Sequence, residues 1–303
     1  MQAQGSHLGA NQLKRRTRPQ SSVRFAPTSG LFLYESMHSI FPGVTAIGDV
    51  HMQVLDVPIT SVDTDQLLES YDSGLLLFHN LDTMYKTCCD ETFRAVCCTA
   101  DYAAIDGQVL RGLLRVLWHR DVSKVSGADF LPAFCRHHAS NPDVKLFLLG
   151  AGPGVAERAG QRLNATAGRQ IVVGAHSPSF DLLTDEQESA RVAEMINTSG
   201  ANALAVGLGA PKQELWMSRN RSRMPNVARF MAVGATLDFE AGRVRRAPRW
   251  MSTMGLEWLF RLVHEPRRLW RRYLVEGPRV VVALMGSRPS AGRHRKPPIP
   301  RYR

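Results

Sequence analysis

The chain has 303 residues, of which 44% are hydrophobic and 21% charged, which is typical of a globular protein with one large domain or two small ones. Residues 243–303 contain sixteen lysines and arginines and three glutamates, so the net charge of +11 comes from the C-terminal part. The remaining residues are slightly acidic, which argues against a main domain that binds polyanions in general.

Cysteine usage and hydropathy restrict the compartment. The five cysteines form an odd set and no secretory leader precedes them, which favours free thiols in a reducing cytosol. No apolar run approaches the roughly 18 residues of a transmembrane helix. The longest candidate is "VVVALM" at 280–285. We therefore expect any membrane contact to be peripheral.

Strands and helices alternate along most of the chain. Residues 1–43 are predicted to form a flexible basic arm, and residues 286–303 a disordered basic tail. Strands are predicted at 74–80, 144–150, 170–176, 203–209 and 228–235. Residues 84–107 are predicted to run from a helix into a loop. Short apolar runs followed by helices indicate a Rossmann-like α/β core with a parallel sheet covered on both faces, over 44–242, with a helical appendage over 243–285.

Ligands of parallel sheets bind beyond the carboxyl ends of the strands. The residues at those ends are therefore the candidates for a binding site: His79, Asn80, Gly150, Gly207, Gly209, Gly234 and Asp238. Asp238 follows its strand at a position suited to bonding a base or a ribose.

The stretch "LGAGPGVAERA" at 149–159 has the pattern of a strand, a glycine-rich turn and a helix. Such a turn can hold a diphosphate on backbone N–H groups at the helix start. A nicotinamide site is disfavoured, because Val155 stands where the third glycine would be and no acidic residue ends the next strand. A tight turn with some ligand contact is the preferred interpretation.

Two patterns suggest metal sites, and for each we prefer a structural interpretation. "DTD" at 63–65 resembles a metal-binding pair of carboxylates, but it also suits the N-terminal cap of a helix. The cysteine pairs of "CCDETFRAVCC" lack the spacing of a zinc site and suit helix packing. We expect neither a metal nor another cofactor.

Two further motifs carry polar residues next to glycines. In "AAIDG", Asp106 is either a turn residue or a general base, and its residue type does not decide between them. In "GLGAPKQELW", a strand ends in glycines and the polar side chains of Gln213 and Glu214 open a helix. The backbone can approach a ligand closely at the glycines.

Three long motifs together identify a family. "GLGAPKQELW", "VGATLDFEAGRVRRAPRWM" and "GLEWLFRLVHEPRRLWRRYL" resemble the WecG/TagA/CpsF family of bacterial glycosyltransferases. Shorter stretches such as "VLDVPIT", "IDG" and "LFLLGAGPGVAE" occur in the order of that family, so the resemblance extends over about residues 45–275.

The resemblance implies an inverting, metal-independent transfer of a sugar from a UDP-sugar to a polyprenyl-diphosphate-linked saccharide in cell-surface polysaccharide biosynthesis. The donor is UDP-N-acetylmannosamine, its uronic acid or UDP-glucose. The enzyme is expected in the cytoplasm, peripherally on the inner face of the bacterial plasma membrane and in contact with its anionic surface. Homo-oligomerisation stays open.

The resemblance also implies roles for particular residues. Asp106 matches the catalytic base, and Asn80, Gln213 and Asp238 match pocket positions. The C-terminal arginines match Arg261, Arg268 and Arg271, which would face the leaving UDP. One departure is Phe78, where the family often has a threonine. Either His79 takes over a polar role or the acceptor is held differently.

The basic C-terminal stretch allows a competing hypothesis. Arginines could contact nucleic-acid phosphates, which would make the chain a nucleic-acid-binding protein. This alternative leaves the glycine-rich strand ends unexplained, so we expect no nucleic acid among the partners. Aromatic and basic residues of the appendage instead suit a membrane interface.

Overall fold

The computed structural model describes residues 51–287 and 290–291. The predicted N-terminal arm, residues 1–43, and residues 288–289 and 292–303 of the predicted tail lie outside the described residues. The strands are β1 (His51–Val54), β2 (Val57–Thr60), β3 (Gly74–His79), β4 (Tyr102–Ile105), β5 (Leu146–Gly150), β6 (Val172–His176), β7 (Ala203–Gly207), β8 (Arg229–Ala232) and β9 (Ser290–Ala291).

The helices connect and cover these strands. The α-helices are α1 (Thr64–Ser70), α2 (Leu81–Cys89), α3 (Glu91–Cys98), α4 (Gln108–Trp118), α5 (Gly127–His137), α6 (Val155–Ala167), α7 (Glu186–Thr198), α8 (Lys212–Asn220), α9 (Thr236–Glu240), α10 (Arg249–Thr253), α11 (Glu257–His264), α12 (Pro266–Arg271) and α13 (Gly277–Gly286). A 3₁₀ turn, Arg221–Arg223, follows α8, and a π-helix, Arg272–Glu276, joins α12 to α13.

A six-stranded parallel sheet in the order β4-β3-β8-β7-β5-β6 lies at the centre, and a small antiparallel sheet in the order β2-β1-β9 stands beside it. The predicted Rossmann-like α/β class is confirmed. The expectation of a loop over Tyr102–Ile105 is wrong, because this segment pairs with β3 as strand β4. Its alanines have a weak strand propensity, so pairing rather than composition makes it a strand.

Side chains alternate between the two faces of the sheet and build two hydrophobic clusters. Leu75 and Leu77 of β3 enter one cluster, and Leu76 and Phe78 enter the other. Helices α2, α3, α4, α7, α8 and α13 cover the first face. Helices α1, α5, α6 and α9 cover the second face. Because both faces are covered, the strands are apolar throughout, and polar groups concentrate where the strands end.

The direction in which successive strands are added to the parallel sheet reverses at two places. The chain leaves β3 towards β4, whereas β8 lies on the other side of β3. It leaves β5 towards β6, whereas β7 leads to β8 on the opposite side. Such reversals open crevices at the carboxyl ends of neighbouring strands, between β3 and β8 and between β5 and β7.

The last helix belongs to the hydrophobic core. Val280 and Leu284 of α13 are buried in the first cluster. The indole N–H of Trp118 in α4 donates to the carbonyl oxygen of Leu284 at 3.1 Å. No helix within the described residues is long and apolar enough to cross a membrane. The burial of Val280 and Leu284 and the bond from Trp118 show that α13 attaches the C-terminal helices to the core.

We expect Leu284→Ala to lower the free energy of unfolding by about 2–5 kcal/mol, because it removes a fully buried side chain and leaves a cavity. The neighbouring Met285 is 68% exposed, so Met285→Ala should change stability by about 0.5 kcal/mol or less. Urea unfolding of both variants makes the comparison. Equal, small losses would show that α13 does not complete the core.

Candidate functional site

Three strand ends approach one another through bare backbone. A Cβ on Gly150 would lie 2.5 Å from the carbonyl oxygen of Gly207, and a Cβ on Gly207 would lie 2.7 Å from that of Gly234. Gly150 also has a φ of +124°, which side chains rarely adopt. These predicted site residues therefore let β5, β7 and the end of β8 come together beneath a crevice.

A cavity of about 720 Å³ opens in the crevice between β5 and β7. This volume is within the range of small-molecule sites, roughly 300–1,000 Å³. Its wall is formed by the turn after β5, the loop after β6, the end of β7 and the start of α8. Three cationic side chains line it: Arg158, Lys212 and Arg243. The first turn of α6 faces the same place and has no side-chain cap, so its N–H groups add to the positive potential.

Arg243 lies on the glycine turn after β5. A Cβ on Gly152 would lie 2.7 Å from the Arg243 guanidinium, so the absence of a side chain makes room for it. The carboxylate of Asp238 lies 3.4 Å from Arg243 Nη1, and the Asp238 carbonyl accepts from the Arg243 backbone N–H at 2.9 Å. Asp238 thus holds Arg243, a cation that lines the cavity, and the sequence did not indicate this contact.

Gln213 ties together the loops after β7 and β8. Its Oε1 accepts from the backbone N–H groups of Gly209 at 3.2 Å and Gly234 at 3.1 Å. Its Nε2 donates to Glu214 Oε1 at 2.9 Å. Because the side chain is buried and its oxygen and nitrogen are both engaged within the protein, Gln213 fixes the shape of this edge.

Glu214 is a buried carboxyl group at the same edge. Burial raises its pKa to about 7, and the hydrogen bond from Gln213 and the charge of Lys86 oppose this. Its Oε2 has no hydrogen-bond partner among the described residues. Lys86 Nζ contacts both Asp82 Oδ2 and the carbonyl oxygen of Ala210, each at 2.8 Å. This lysine therefore links α2 to the loop that leads into α8.

Asp106 lies at the end of β4, next to the end of β3. Its backbone N–H donates to the His79 carbonyl oxygen at 2.7 Å. Burial, and after it the negative charge of Glu257, raise the pKa of its carboxyl to about 6. A hydrogen bond to the Ser126 side chain and the charges of Lys124 and Arg261 act in the opposite direction. Near neutral pH this carboxylate is mostly ionised, yet it is a stronger base than an ordinary aspartate.

Phe78 and His79 enter opposite faces of the sheet. Phe78 packs on Phe130, with 5.7 Å between ring centroids, on the face that also carries Asp106 by strand alternation. His79 is 1% exposed, neither ring nitrogen has a described partner, and burial lowers its pKa to about 4. The uncharged imidazole of His79 lies on the opposite face of the sheet from Phe78, the position at which the family often has a threonine. The apolar Phe78 ring therefore occupies that place.

The C-terminal arginines differ in their surroundings. Arg261 stacks on Phe239, with its guanidinium carbon 5.4 Å from the ring centroid. Its positive charge lowers the pKa of the Asp106 carboxyl. Arg271 is 72% exposed and lies 3.4 Å from Glu276. Arg272, which sequence reasoning missed, donates from Nη2 to Asn80 Oδ1 at 3.1 Å. The side chain of Arg268 lies outside the described residues.

Asn80 is the N-cap residue of α2. Its Oδ1 accepts from the backbone N–H groups of Asp82 and Thr83, and the Thr83 hydroxyl accepts from the Asn80 backbone N–H. The bond from Arg272 reaches the same oxygen. Asn80 is therefore both a helix cap and the contact between β3 and the C-terminal segment.

One of the two patterns that suggested metals has a structural role, whereas the expected helix packing holds for only part of the other: Cys97 is buried, and Cys88 and Cys89 are exposed. Asp63 forms a capping box with Gln66 at the start of α1, so the predicted cap is confirmed. All five cysteines are free. Within the described part of the chain, no three His, Cys, Asp or Glu residues are grouped so that they could hold a metal ion.

The carboxyl edge of the parallel sheet of this α/β protein thus carries a cavity lined by three cationic side chains and a carboxylate whose pKa is raised. A family model described as the glycosyl transferase WecG/TagA/CpsF family matches residues 52–294. The chain therefore belongs to this family of glycosyltransferases, as the three long motifs indicated.

Glu214→Gln should flatten the pH dependence of stability. The folded pKa of about 7 exceeds the ordinary value of 4.5, so the folded state binds this proton more tightly than the unfolded state. The resulting stability is fully present below about pH 4.5 and is lost as the pH rises to about 7. Urea unfolding at several pH values should show wild type losing stability relative to Glu214→Gln across this window.

The exposed Glu194 of α7 offers a control, since Glu194→Gln should leave the shape of the pH profile unchanged. Parallel profiles for wild type and Glu214→Gln would contradict the assignment of Glu214 as a proton-binding group in the fold.

Proposed function

We propose that the chain is an inverting, metal-independent glycosyltransferase that moves a sugar from a UDP-sugar to a polyprenyl-diphosphate-linked saccharide. The observation that carries this proposal is Asp106, a carboxylate whose pKa is raised to about 6 and which lies at the same sheet edge as a cationic cavity. Family membership supports the transfer of a sugar. UDP-N-acetylmannosamine, its uronic acid and UDP-glucose remain the candidate donors.

The cavity suits the nucleotide of the donor. The uncapped N-terminus of α6 and the guanidinium of Arg243 provide N–H donors for a diphosphate. Arg158 and Lys212 add positive charge from the other sides. Phe180 at the rim is 92% exposed, with Lys212 Nζ 5.7 Å from its ring centroid, and offers an aromatic surface to a nucleobase.

In the proposed reaction an acceptor hydroxyl attacks the anomeric carbon on the face opposite the diphosphate. Asp106 accepts the hydroxyl proton while the new carbon–oxygen bond forms. The bond from the anomeric carbon to the diphosphate breaks, and its electron pair leaves with UDP. A single displacement inverts the anomeric centre. Arg261 supplies a permanent positive charge beside Asp106 and so favours its ionised form, while Arg158, Lys212 and Arg243 at the cavity meet the negative charge that develops on the departing diphosphate.

The C-terminal helices suit a membrane surface, where a polyprenyl acceptor is held. Among the described residues, eleven large hydrophobic side chains are exposed, and eight of them lie between Trp250 and Met285. Arginines are interspersed with them, and such a surface binds anionic bilayers at the interface. We infer that the enzyme acts peripherally on the cytoplasmic face of the plasma membrane.

Asp106→Asn should lower the rate of sugar transfer by about 10²–10⁴-fold, the usual contribution of a general base. The thermal stabilisation by UDP should persist, because the amide leaves the cavity unchanged. In wild type, kcat/KM should fall below about pH 6, as the base becomes protonated. Transfer is measured from a UDP-sugar to a polyprenyl-diphosphate-linked acceptor.

Asp121→Asn is the matched control, because Asp121 forms a partly exposed ion pair with Arg111 at 2.9 Å. This variant should retain wild-type transfer. High residual transfer by Asp106→Asn would remove Asp106 as the base, and the absence of UDP stabilisation in wild type would contradict the proposed donor.

Replacing Trp250 and Trp270 with serine should weaken binding to anionic vesicles, because these indoles are 59% and 51% exposed on the C-terminal helices. Co-sedimentation with phosphatidylglycerol vesicles measures the effect. Met195→Ser, at an exposed position of α7, should bind vesicles as wild type does. Equal binding by all three proteins would exclude this surface as the membrane contact.

A further inference from the structure

Adjacent arginines of the C-terminal segment face different surroundings. Arg271, the last residue of α12, is largely exposed and pairs with Glu276. Arg272 opens the π-helix and has a side chain that is 22% exposed. A π-helix changes the angular position of the residues that follow it, and such irregularities are frequent at functional sites. The sequence "RR" therefore contains one outward and one inward cation.

The inward cation contacts the end of β3 and the start of α2. Arg272 Nη2 donates to Asn80 Oδ1 at 3.1 Å and lies 3.5 Å from Asp82 Oδ2. The side chain of Asp82 is 9% exposed, so its charge is shielded from solvent. Lys86 contacts the same carboxylate oxygen at 2.8 Å. Hydrogen bonds between charged groups in such surroundings are stronger than those on an open surface.

The same segment brings two charged residues of α11 to Asp106. The charge of Glu257 raises the pKa of the Asp106 carboxyl, and the charge of Arg261 lowers it. The Arg261 guanidinium also stacks on the Phe239 ring. Asp106 is bonded through its backbone to His79, the residue before Asn80. Arg272 therefore contacts the end of β3, and Asp106 lies at the end of the neighbouring strand β4.

This docked arrangement contains unfavourable elements that a fastening contact must offset. The Nε atoms of Arg261 and Arg272 are both buried without a hydrogen-bond partner among the described residues. Buried donors without partners destabilise the state that contains them. Glu257 also raises the pKa of Asp106, so two negative charges lie near each other in the docked state.

We propose that Arg272 is a positioning residue that fastens the C-terminal helices to Asn80 and Asp82, and so keeps Glu257 and Arg261 of α11 beside Asp106. This inference rests on the proposed function for its catalytic consequence. Its structural part, the docking of the segment, stands independently of the reaction.

Arg272→Gln should lower kcat about tenfold, equal to about 1.4 kcal/mol of transition-state stabilisation, with a smaller change in KM for the UDP-sugar. The acceptor is dispersed in detergent, so that membrane binding does not contribute. Arg267→Gln is the charge-matched control, since Arg267 is exposed in the same segment, and it should retain wild-type kcat. Arg272→Lys, which keeps the charge and loses the planar fork, should give an intermediate kcat.

The pH profile separates positioning from a general loss of fold. The pKa of Asp106 is affected by burial, Glu257, Ser126, Lys124 and Arg261, in decreasing order. Because Glu257 raises this pKa more than Arg261 lowers it, release of α11 should lower the pKa. The acid limb of kcat/KM should therefore move to lower pH in Arg272→Gln and stay in place in Arg267→Gln.

Hydrogen–deuterium exchange of the full chain tests the docking without an activity assay. Faster exchange over 257–276 in Arg272→Gln, with unchanged exchange in the sheet, supports the proposal. The proposal is overturned if Arg271→Gln rather than Arg272→Gln shows these effects, or if Arg272→Gln lowers the thermal midpoint without faster exchange over 257–276. If wild type transfers no sugar while the exchange differs as expected, the proposed function fails and the fastening role of Arg272 stands.

Discussion

The close approach of three backbones at the carboxyl edge of the sheet is the constraint on which the candidate site depends. Gly150, Gly207 and Gly234 follow one another across β5, β7 and the end of β8, and a side chain on either of the first two would collide with the next carbonyl group. Gln213 then joins the loops after β7 and β8 through one amide oxygen. The glycine backbones bring the strand ends together, and the buried Gln213 amide holds the loops in place. The crevice with the cationic cavity lies at this edge.

Two carboxyl groups at this edge have raised pKa values and different surroundings. Asp106 is next to Ser126, Lys124 and Arg261, which partly offset its burial and keep it available as an ionised base. Glu214 is fully buried beside Gln213 and has a pKa of about 7. Cationic neighbours do not distinguish the two groups, since Lys86 acts on Glu214 as Lys124 and Arg261 act on Asp106. The hydrogen bond from Gln213 Nε2 does, because it commits the Glu214 carboxyl to orienting an amide. Burial alone would not distinguish these roles.

Sequence reasoning located most of the sheet, because both faces of a parallel sheet are covered and its strands are apolar runs. It missed β4, whose alanines do not favour a strand, although Asp106 at its end was a candidate. It could not separate Arg271 from Arg272, because adjacent residues of a helix point in different directions and the docking of the segment decides which of the two faces inward. It could not give the orientation of the Gln213 side chain, because that buried amide bonds to loops brought together from distant parts of the chain.

The pairing of β9 with β1 and the burial of α13 in the core join the two ends of the described chain. During synthesis β1 leaves the ribosome long before β9, and the hydrophobic face that receives α13 stays without it until residues 277–286 follow. The segment carrying Arg261 and Arg272 lies directly before α13. Synthesis thus makes the strands of the parallel sheet available before the segment that carries Arg261 and Arg272, and that segment lies between the sheet and the helix that anchors it in the core.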